Sequence, residues 1–429
     1  MRRRFIRFVA LIALAAALTA SLGSCNKNES NSASNTEGAD TTVPEKKISL
    51  LTVSEKGKTV DGEGNNISLR GVNLGGWLIQ ETWMCAVSGS ECNSESFEVL
   101  RNRGFTEEQI KTLFMTYADN YVKEKDIKYL ASLGVNCVRL PFWYRNFMDG
   151  DLNFYSDNDS DNPGFQLTDR LVSWAGKYGI YVILDMHGCP GGQSTDHCCG
   201  IIGRNELYTD EKNLDAMQRL WERIASHYKD EPVIAAYDIM NEPMNNSTEY
   251  KNGWAAGSPE AVSKTVAVYD RMIKAIRKID EKHIITIEGI WDTSMLPDPA
   301  KYGWTNMMYQ LHLYDKTLDM VTYRVNELRE VRKKYGVAVY VGEFNNGDEN
   351  QAAAYYQYSR YDIAFTMWNF KVSKNNLGNW GLLSSGVESA DLKNDTFDTI
   401  KRKWGTVLDS KFFNVNKTVE DFIKKYVSE

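Results

Sequence analysis

Past its first two dozen residues the chain has no apolar run long enough to cross a bilayer, which excludes a helical membrane span there. It also lacks an excess of positive charge. The formal net charge is −7, and because the leader supplies four arginines (Arg2, Arg3, Arg4, Arg7) and no acid, the remainder carries −11. That balance argues against nucleic acid or anionic lipid as a partner. Seven cysteines are present, but the short-spaced pairs usual in zinc sites are not. No break in composition divides the residues after Lys47, so nothing marks a second domain. What is present is a sizeable core, with 42% hydrophobic residues, and a generous supply of rings, 11 Trp and 23 Tyr. Most such rings pack in cores, although flat rings also suit the faces of sugars.

The amino terminus reads as an export signal. A basic stretch over residues 2–7 precedes an uncharged, alanine- and leucine-rich run over 8–20, too short for a comfortable span. Leu22-Gly23-Ser24-Cys25 follows where cleavage is expected, and it resembles a bacterial lipobox. The resemblance implies a signal peptide over 1–24, lipidation of Cys25 and a flexible linker over 25–46, which is rich in Asn, Ser, Thr, Glu and Gly. The expected product is an exported lipoprotein held to a bacterial membrane, the outer one by preference, in the periplasm or at the cell surface. Its contact with the membrane is through the lipid anchor alone.

From Lys47 onward an apolar β-competent run, a polar or glycine-bearing end and a helical pattern recur. A hairpin over 50–53 and 59–60 is expected first, with Asp61-Gly62-Glu63-Gly64 as turn chemistry. Eight strands follow, at 68–71, 135–140, 181–186, 234–240, 284–288, 307–313, 337–342 and 363–368. Helical patterns lie between them, among others at 121–133, 167–178, 214–227, 261–279 and 318–335, with a terminal helix at 418–427. Strand–helix alternation implies parallel strands under covering helices, and eight units imply one (β/α)8 TIM barrel. The length requires enlarged βα loops, placed at 84–111, 149–166, 189–213 and 244–259.

The strand ends carry the chemistry. Ala235 to Met240 is apolar except for Asp238 and stops in Asn241-Glu242-Pro243, since proline cannot continue a central ladder. The run from Val337 stops in Gly342-Glu343-Phe344. Two strand-terminal glutamates are the pair that glycoside hydrolysis requires. The other strands run into Asn73 and Gly75-Gly76-Trp77, Arg139, Asp185-Met186-His187-Gly188, Glu288, His312 with Tyr314, and Trp368. Any one of these has a structural reading; a polar or aromatic group at all eight ends does not.

In this ordered set the chain resembles glycoside hydrolase family 5, over about residues 68 to 370. The residues that carry the likeness are Arg139, His187, Asn241-Glu242-Pro243, His312-Leu313-Tyr314, Gly342-Glu343-Phe344 and Trp368; the Arg70-to-Trp77 opening is similar to exo-β-1,3-glucanases and endoglucanases of that family. The resemblance implies that 47–429 is a glycoside hydrolase catalytic domain and that the chain is a retaining β-glycosidase acting by double displacement. Glu343 is then the nucleophile and Glu242 the acid/base. Arg139 keeps Glu343 ionised, Tyr314 donates to it, Asn241 holds the sugar 2-hydroxyl, His187 and His312 bind hydroxyls or orient carboxyls, and Trp368 floors the −1 sugar. No cofactor or metal is required, and a monomer is expected.

The substrate is expected to be a β-linked polysaccharide or oligosaccharide, a β-glucan joined β-1,4 or β-1,3. The alternatives are a β-mannanase or a non-catalytic glycan-binding surface lipoprotein. Trp77, Trp83, Trp143, Tyr144, Trp254, Trp291, Trp304 and Trp380 are candidate sugar platforms. Cys137 reads as a buried thiol in strand 2, Cys85 could pair with Cys92, and Cys189 with Cys198 or Cys199. Structural zinc on Cys189, Asp196, His197, Cys198 and Cys199 is the lesser reading.

Overall fold

The computed structural model describes residues 48–243, 257–289, 293–346, 348–374 and 380–427. The residues expected to form the signal peptide and linker, with Cys25, Trp254, Trp291 and most of the 244–259 loop, lie outside them. Eight parallel strands close into a barrel: β1 (Arg70–Asn73), β2 (Cys137–Trp143), β3 (Tyr181–Gly188), β4 (Ile234–Asp238), β5 (Ile284–Glu288), β6 (Met307–Leu313), β7 (Ala338–Phe344) and β8 (Ala364–Met367). Each overlaps an expected strand, although β1 and β2 begin two residues later than expected and β4 stops at Asp238 instead of Met240, and β8 hydrogen-bonds to β1 to close the ring.

The helices are α1 (Asn93–Asn102), α2 (Glu107–Tyr121), α3 (Glu124–Ser132), α4 (Pro163–Tyr178), α5 (Glu211–Tyr228), α6 (Pro259–Arg277), α7 (Leu318–Tyr335), α8 (Asp348–Arg360), α9 (Phe397–Thr406) and α10 (Lys417–Tyr426). Local chemistry sets their ends. Asn162 caps α4 by accepting from the Gly164 N–H, Pro163 opens it, and Gly179 closes it at φ +68°.

Three expectations need correction. The helix placed at 121–133 is α3 and starts only at Glu124: Tyr121 closes α2, Val122 is extended, and the Lys123 N–H donates to Asp126 Oδ2 at 2.9 Å, capping the new start. The 84–111 loop carries α1 and the first residues of α2. The hairpin strands Thr52–Val53 and Thr59–Val60 do pair, but Ser54 to Lys58 turn the chain between them. Asp61-Gly62-Glu63-Gly64 forms the next turn, where the Asp61 carboxylate accepts from the Glu63 and Asn65 N–H groups.

Two apolar layers hold the barrel. The larger lies between the strands and the helices. The smaller gathers Cys137, Tyr181, Ile284, Met308, Ala338 and Ala364 from the strands' amino-terminal ends with Leu51 of the hairpin segment. That segment therefore seals the bottom, and the polar residues fall at the carboxyl ends. After β8 the chain doubles back, and Ala390–Asp391 pairs with Val87–Ser88 to tie down the long connection after β1.

The β1–β2 seam tolerates no side chain at Gly71, where an added Cβ would sit 1.7 Å from the Cys137 carbonyl oxygen. Gly71→Ala is expected to cost about 3 kcal/mol or more, since backbone must move to admit it. Thermal unfolding of the variant checks this, and an unchanged Tm would contradict the register of the seam.

Candidate active site

Arg139 stands at the centre of the barrel mouth, on β2, with no exposed surface. Its Nη1 donates to Glu343 Oε1 at 2.7 Å and Asn73 Oδ1 at 3.1 Å, its Nε to Asp238 Oδ2 at 2.8 Å, and its Nη2 to Asn241 Oδ1 at 3.0 Å. Asp185 Oδ2 lies 3.1 Å from Nη2. Burial alone would lower the guanidinium pKa, but Asp185, Asp238 and Glu343 outweigh it and push it well above its ordinary range. Burial in turn raises Asp185 to about 7 and Asp238 to about 6, against the pull of Arg139.

Glu343 sits within β7 at a bulge, where the pairing with β6 slips between Val341 and Glu343. Gly342 makes the bulge possible, because a Cβ there would lie 2.0 Å from Gln310 Oε1. Glu343 Oε2 accepts from the Tyr314 hydroxyl at 2.7 Å. Two donors, one of them a guanidinium, thus bracket this carboxylate.

Glu242 lies past the end of β4 with a backbone φ of +39°, a costly value for a residue with a side chain. Its N–H donates to Glu288 Oε2 at 2.7 Å. Its Oε1 is 2.9 Å from His312 Nδ1, and its Oε2 accepts from the Cys198 thiol at 3.7 Å. Burial raises the Glu242 pKa; the charges of Glu81 and Asp196 add to that, while His187 and Arg139 oppose it. His312 is driven down to about 3 by burial, and His187 is lowered for the same reason, so both imidazoles are neutral. His187 Nδ1 lies 2.7 Å from Asp185 Oδ2, and its ring stacks on Trp368 at 5.5 Å and 11°.

The eight residues expected to form the site are brought together. Glu81, Trp83, Asp196, His197, Cys198 and Trp380 line the same cleft, of about 350 Å³, with His187, Glu242, Tyr314, Glu343 and Trp368. Of the candidate platforms, Trp83 and Trp380 reach this cleft and meet edge to face at 5.3 Å. Trp77, Trp143, Tyr144 and Trp304 are buried instead.

The cysteine pairings are overturned, since Cys85, Cys92, Cys137, Cys189, Cys198 and Cys199 are free, buried thiols. Their sulfurs are engaged elsewhere: Cys85 meets the Gly76 carbonyl, Cys189 that of Met186, and Cys198 the Glu242 carboxyl. His197, weighed as a zinc ligand, puts Nε2 3.2 Å from Glu81 Oε2. Among the described residues, Glu242, Glu288 and His312 bring ligand-type atoms within 4.8 Å of one another, and the His312 and Glu288 contacts of Glu242 account for that closeness.

Sequence reasoning gave no catalytic role to Glu81, Asp238 or Glu288, and read Cys198 as a disulfide partner or zinc ligand instead of a neighbour of Glu242. Glu288 was visible as a strand end. Asp238 stood as the lone acid of an apolar run, a signal that could have been used.

A family model for cellulases, glycosyl hydrolase family 5, matches residues 92–374. The chain therefore belongs to that family. It is 33% identical over 263 residues to a β-xylosidase of Phanerodontia chrysosporium, covering 60% of this chain and 50% of that protein. It is 30% identical over 205 residues to a glucan 1,3-beta-glucosidase of Blumeria graminis, covering 44% and 46%. The matched part spans about half the length of each of these relatives. Among solved structures, rutinosidase from Aspergillus niger shares the fold with a TM-score of 0.57 at 17% identity, covering 85% of this chain and all of that one.

Glu288 holds the Glu242 backbone in its strained conformation, and its own pKa is raised well above the carboxylate range by burial and by Glu242. Leaving the Glu242 N–H without its acceptor costs about 1–3 kcal/mol, so Glu288→Ala should lower kcat by about 5- to 150-fold. Glu288→Gln keeps an acceptor and should retain most of the rate. Equal losses in the two variants would remove the anchoring role.

Proposed function

We propose that the chain is a retaining β-glycosidase that hydrolyses a β-glucan, with Glu343 as nucleophile and Glu242 as acid/base. The reading rests on one observation. The same nitrogen, His312 Nδ1, is 2.9 Å from Glu242 Oε1 and 3.6 Å from Glu343 Oε2, so these two oxygens lie at most 6.5 Å apart. Retention needs carboxyls about 5–5.5 Å apart, and inversion places them about 6.5–9.5 Å apart to admit a water. The bound favours retention.

The chemistry follows from the two environments. Glu242, kept protonated by burial, gives its proton to the glycosidic oxygen as Glu343 attacks the anomeric carbon. The leaving sugar departs with that proton, and Glu343 becomes an ester. Glu242, now a carboxylate, takes a proton from water; the water oxygen bonds to the anomeric carbon and Glu343 leaves as a carboxylate. Arg139 and Tyr314 stabilise Glu343 when it carries charge. Asn241 is fixed by its Oδ1 on Arg139, and its buried Nδ2 has no partner among the described residues, which suits a sugar 2-hydroxyl. His187 and His312 serve hydroxyls as neutral donors or acceptors, and Trp368, stacked on His187, serves as the floor.

For the linkage, the name of the Blumeria relative favours β-1,3 over β-1,4 glucan, and that of the Phanerodontia relative adds β-xylosides to the candidates. Assay on β-1,3-, β-1,4- and mixed-linkage glucans, xylan and mannan, with NMR of the first-formed anomer, tests both substrate and stereochemistry. Release of the inverted anomer would overturn the mechanism. We also propose export with a lipid on Cys25, which rests on the leader pattern alone. Cys25→Ser should move the protein from the membrane fraction to the soluble one, and unchanged fractionation would defeat the anchor.

Glu343→Ala and Glu242→Ala should each lose most of the turnover without unfolding, by about 10⁴-fold or more for the nucleophile. Glu242 works protonated, so activity should fall as pH rises through its raised pKa. Glu81 contributes to that rise. In Glu81→Gln the alkaline limb of kcat/KM should therefore move to lower pH, and a limb that stays in place would separate Glu81 from the proton donor.

A further inference from the structure

A second cavity, of about 170 Å³, lies between α1, α2, the start of α4 and the chain after β1, and its lining shares none of the residues of the catalytic cleft. Its walls include the rings of Phe97, Phe114 and Trp143; Glu107 and Glu108 belong to its lining and are exposed. Gln80 also lines it. That side chain is 2% exposed, and among the described residues neither its amide nitrogen nor its amide oxygen has a hydrogen-bond partner. Elsewhere in the barrel mouth buried glutamines are engaged: Gln193 donates to the His187 and Asn241 carbonyls, and Gln310 to Asp238.

An amide left open at both ends calls for a group that donates and accepts, and a hydroxyl does both. Ring walls call for an aromatic body, which packs edge to face or offset against them. Size sets the rest. An apolar cavity of about 150 Å³ takes benzene, so this one takes a single ring with a small substituent or two. The lining sets two acids, Glu107 and Glu108, against two bases, Lys111 and Arg145, so it favours a neutral ligand.

We propose that this cavity is a binding site for a neutral monocyclic phenol, with its ring among Phe97, Phe114 and Trp143 and its hydroxyl on the Gln80 amide. Trp143 makes the site a neighbour of the catalytic loop: a Cβ on Gly188 would lie 2.5 Å from its Cδ1, and one on Gly200 3.0 Å from its Nε1.

Calorimetric titration of the full chain with p-cresol, and with toluene as the analogue lacking the hydroxyl, tests the assignment. A site built around a hydroxyl should bind p-cresol with one-to-one stoichiometry and toluene at least about ten-fold more weakly. Gln80→Leu should erase that preference. Met115→Trp, at another lining position, should fill the space and abolish binding of both compounds while leaving glycan hydrolysis unchanged. No binding of p-cresol, which would leave the cavity to water, overturns the proposal. Binding that survives both variants also overturns it, since the compound would then sit elsewhere. If Met115→Trp does not fold, the p-cresol-to-toluene ratio in Gln80→Leu decides. The readout is binding, so the result stands apart from whether the cleft hydrolyses a glucan.

Discussion

One buried guanidinium organises the mouth of the barrel. Arg139 reaches Asn73 at the end of β1, Asp185 on β3, Asp238 on β4, Asn241 just beyond β4, and Glu343 on β7. A charge without exposed surface persists only when its hydrogen-bonding capacity is filled, and the planar fork of arginine can meet several acceptors at fixed angles where an ammonium cannot. The barrel makes this possible by delivering strand ends from around the ring to one point. The apolar layer below, sealed by the hairpin segment at Leu51, keeps water from solvating the same groups from beneath.

Three carboxylates around one cation leave an excess of negative charge, and the site relieves it by position. Asp185 and Asp238 have no exposed surface and are pushed up to about 7 and 6 by burial, so both take up protons close to neutral pH. Glu343 has a guanidinium and a phenol directed at its two oxygens. At Glu242, burial and the acids Glu81 and Asp196 favour the protonated form against the pull of His187 and Arg139. Two glutamates of the same chemistry are thereby separated into one suited to carry charge and one suited to carry a proton. Neutral His312 lies between them and spans both without adding a third charge.

The barrel was legible because each strand is an apolar run with a polar stop, and both halves of that signal are local. Arg139, Asn241, Glu242 and Glu343 were legible for the same reason. What escaped depends on partners far away in the chain. Asp238 matters through Arg139 and through Gln310 on β6, 72 residues on, and no local pattern announces that pairing. Glu81 lies in a connection, and its acidity gains meaning only against His197 and the cleft. Cys198 looked like half of a disulfide because spacing reveals proximity in sequence, whereas its sulfur is turned to Glu242. The displaced hairpin turn is a local error: Asp61-Gly62 is strong turn chemistry, and it forms a turn, but Ser54-Glu55-Lys56-Gly57 forms one first.

The two glutamates also differ in how their backbones are held. Glu343 is part of a ladder, paired with His312 across β6, and its direction is set by a bulge that needs glycine at position 342. Glu242 is beyond its ladder, before Pro243, at a positive φ stabilised from the side by Glu288. In the proposed mechanism the nucleophile must meet one carbon along one line, so placement on a paired strand suits Glu343. The proposed acid/base has to serve the departing oxygen in one step and a water in the next, at different points in space. A position beyond the ladder, with the backbone N–H on Glu288 and the carboxyl near His312, suits that task. The ladder of β4 stops at Asp238, four residues before Glu242, which frees Glu242 from the register of the sheet and leaves its position to Glu288.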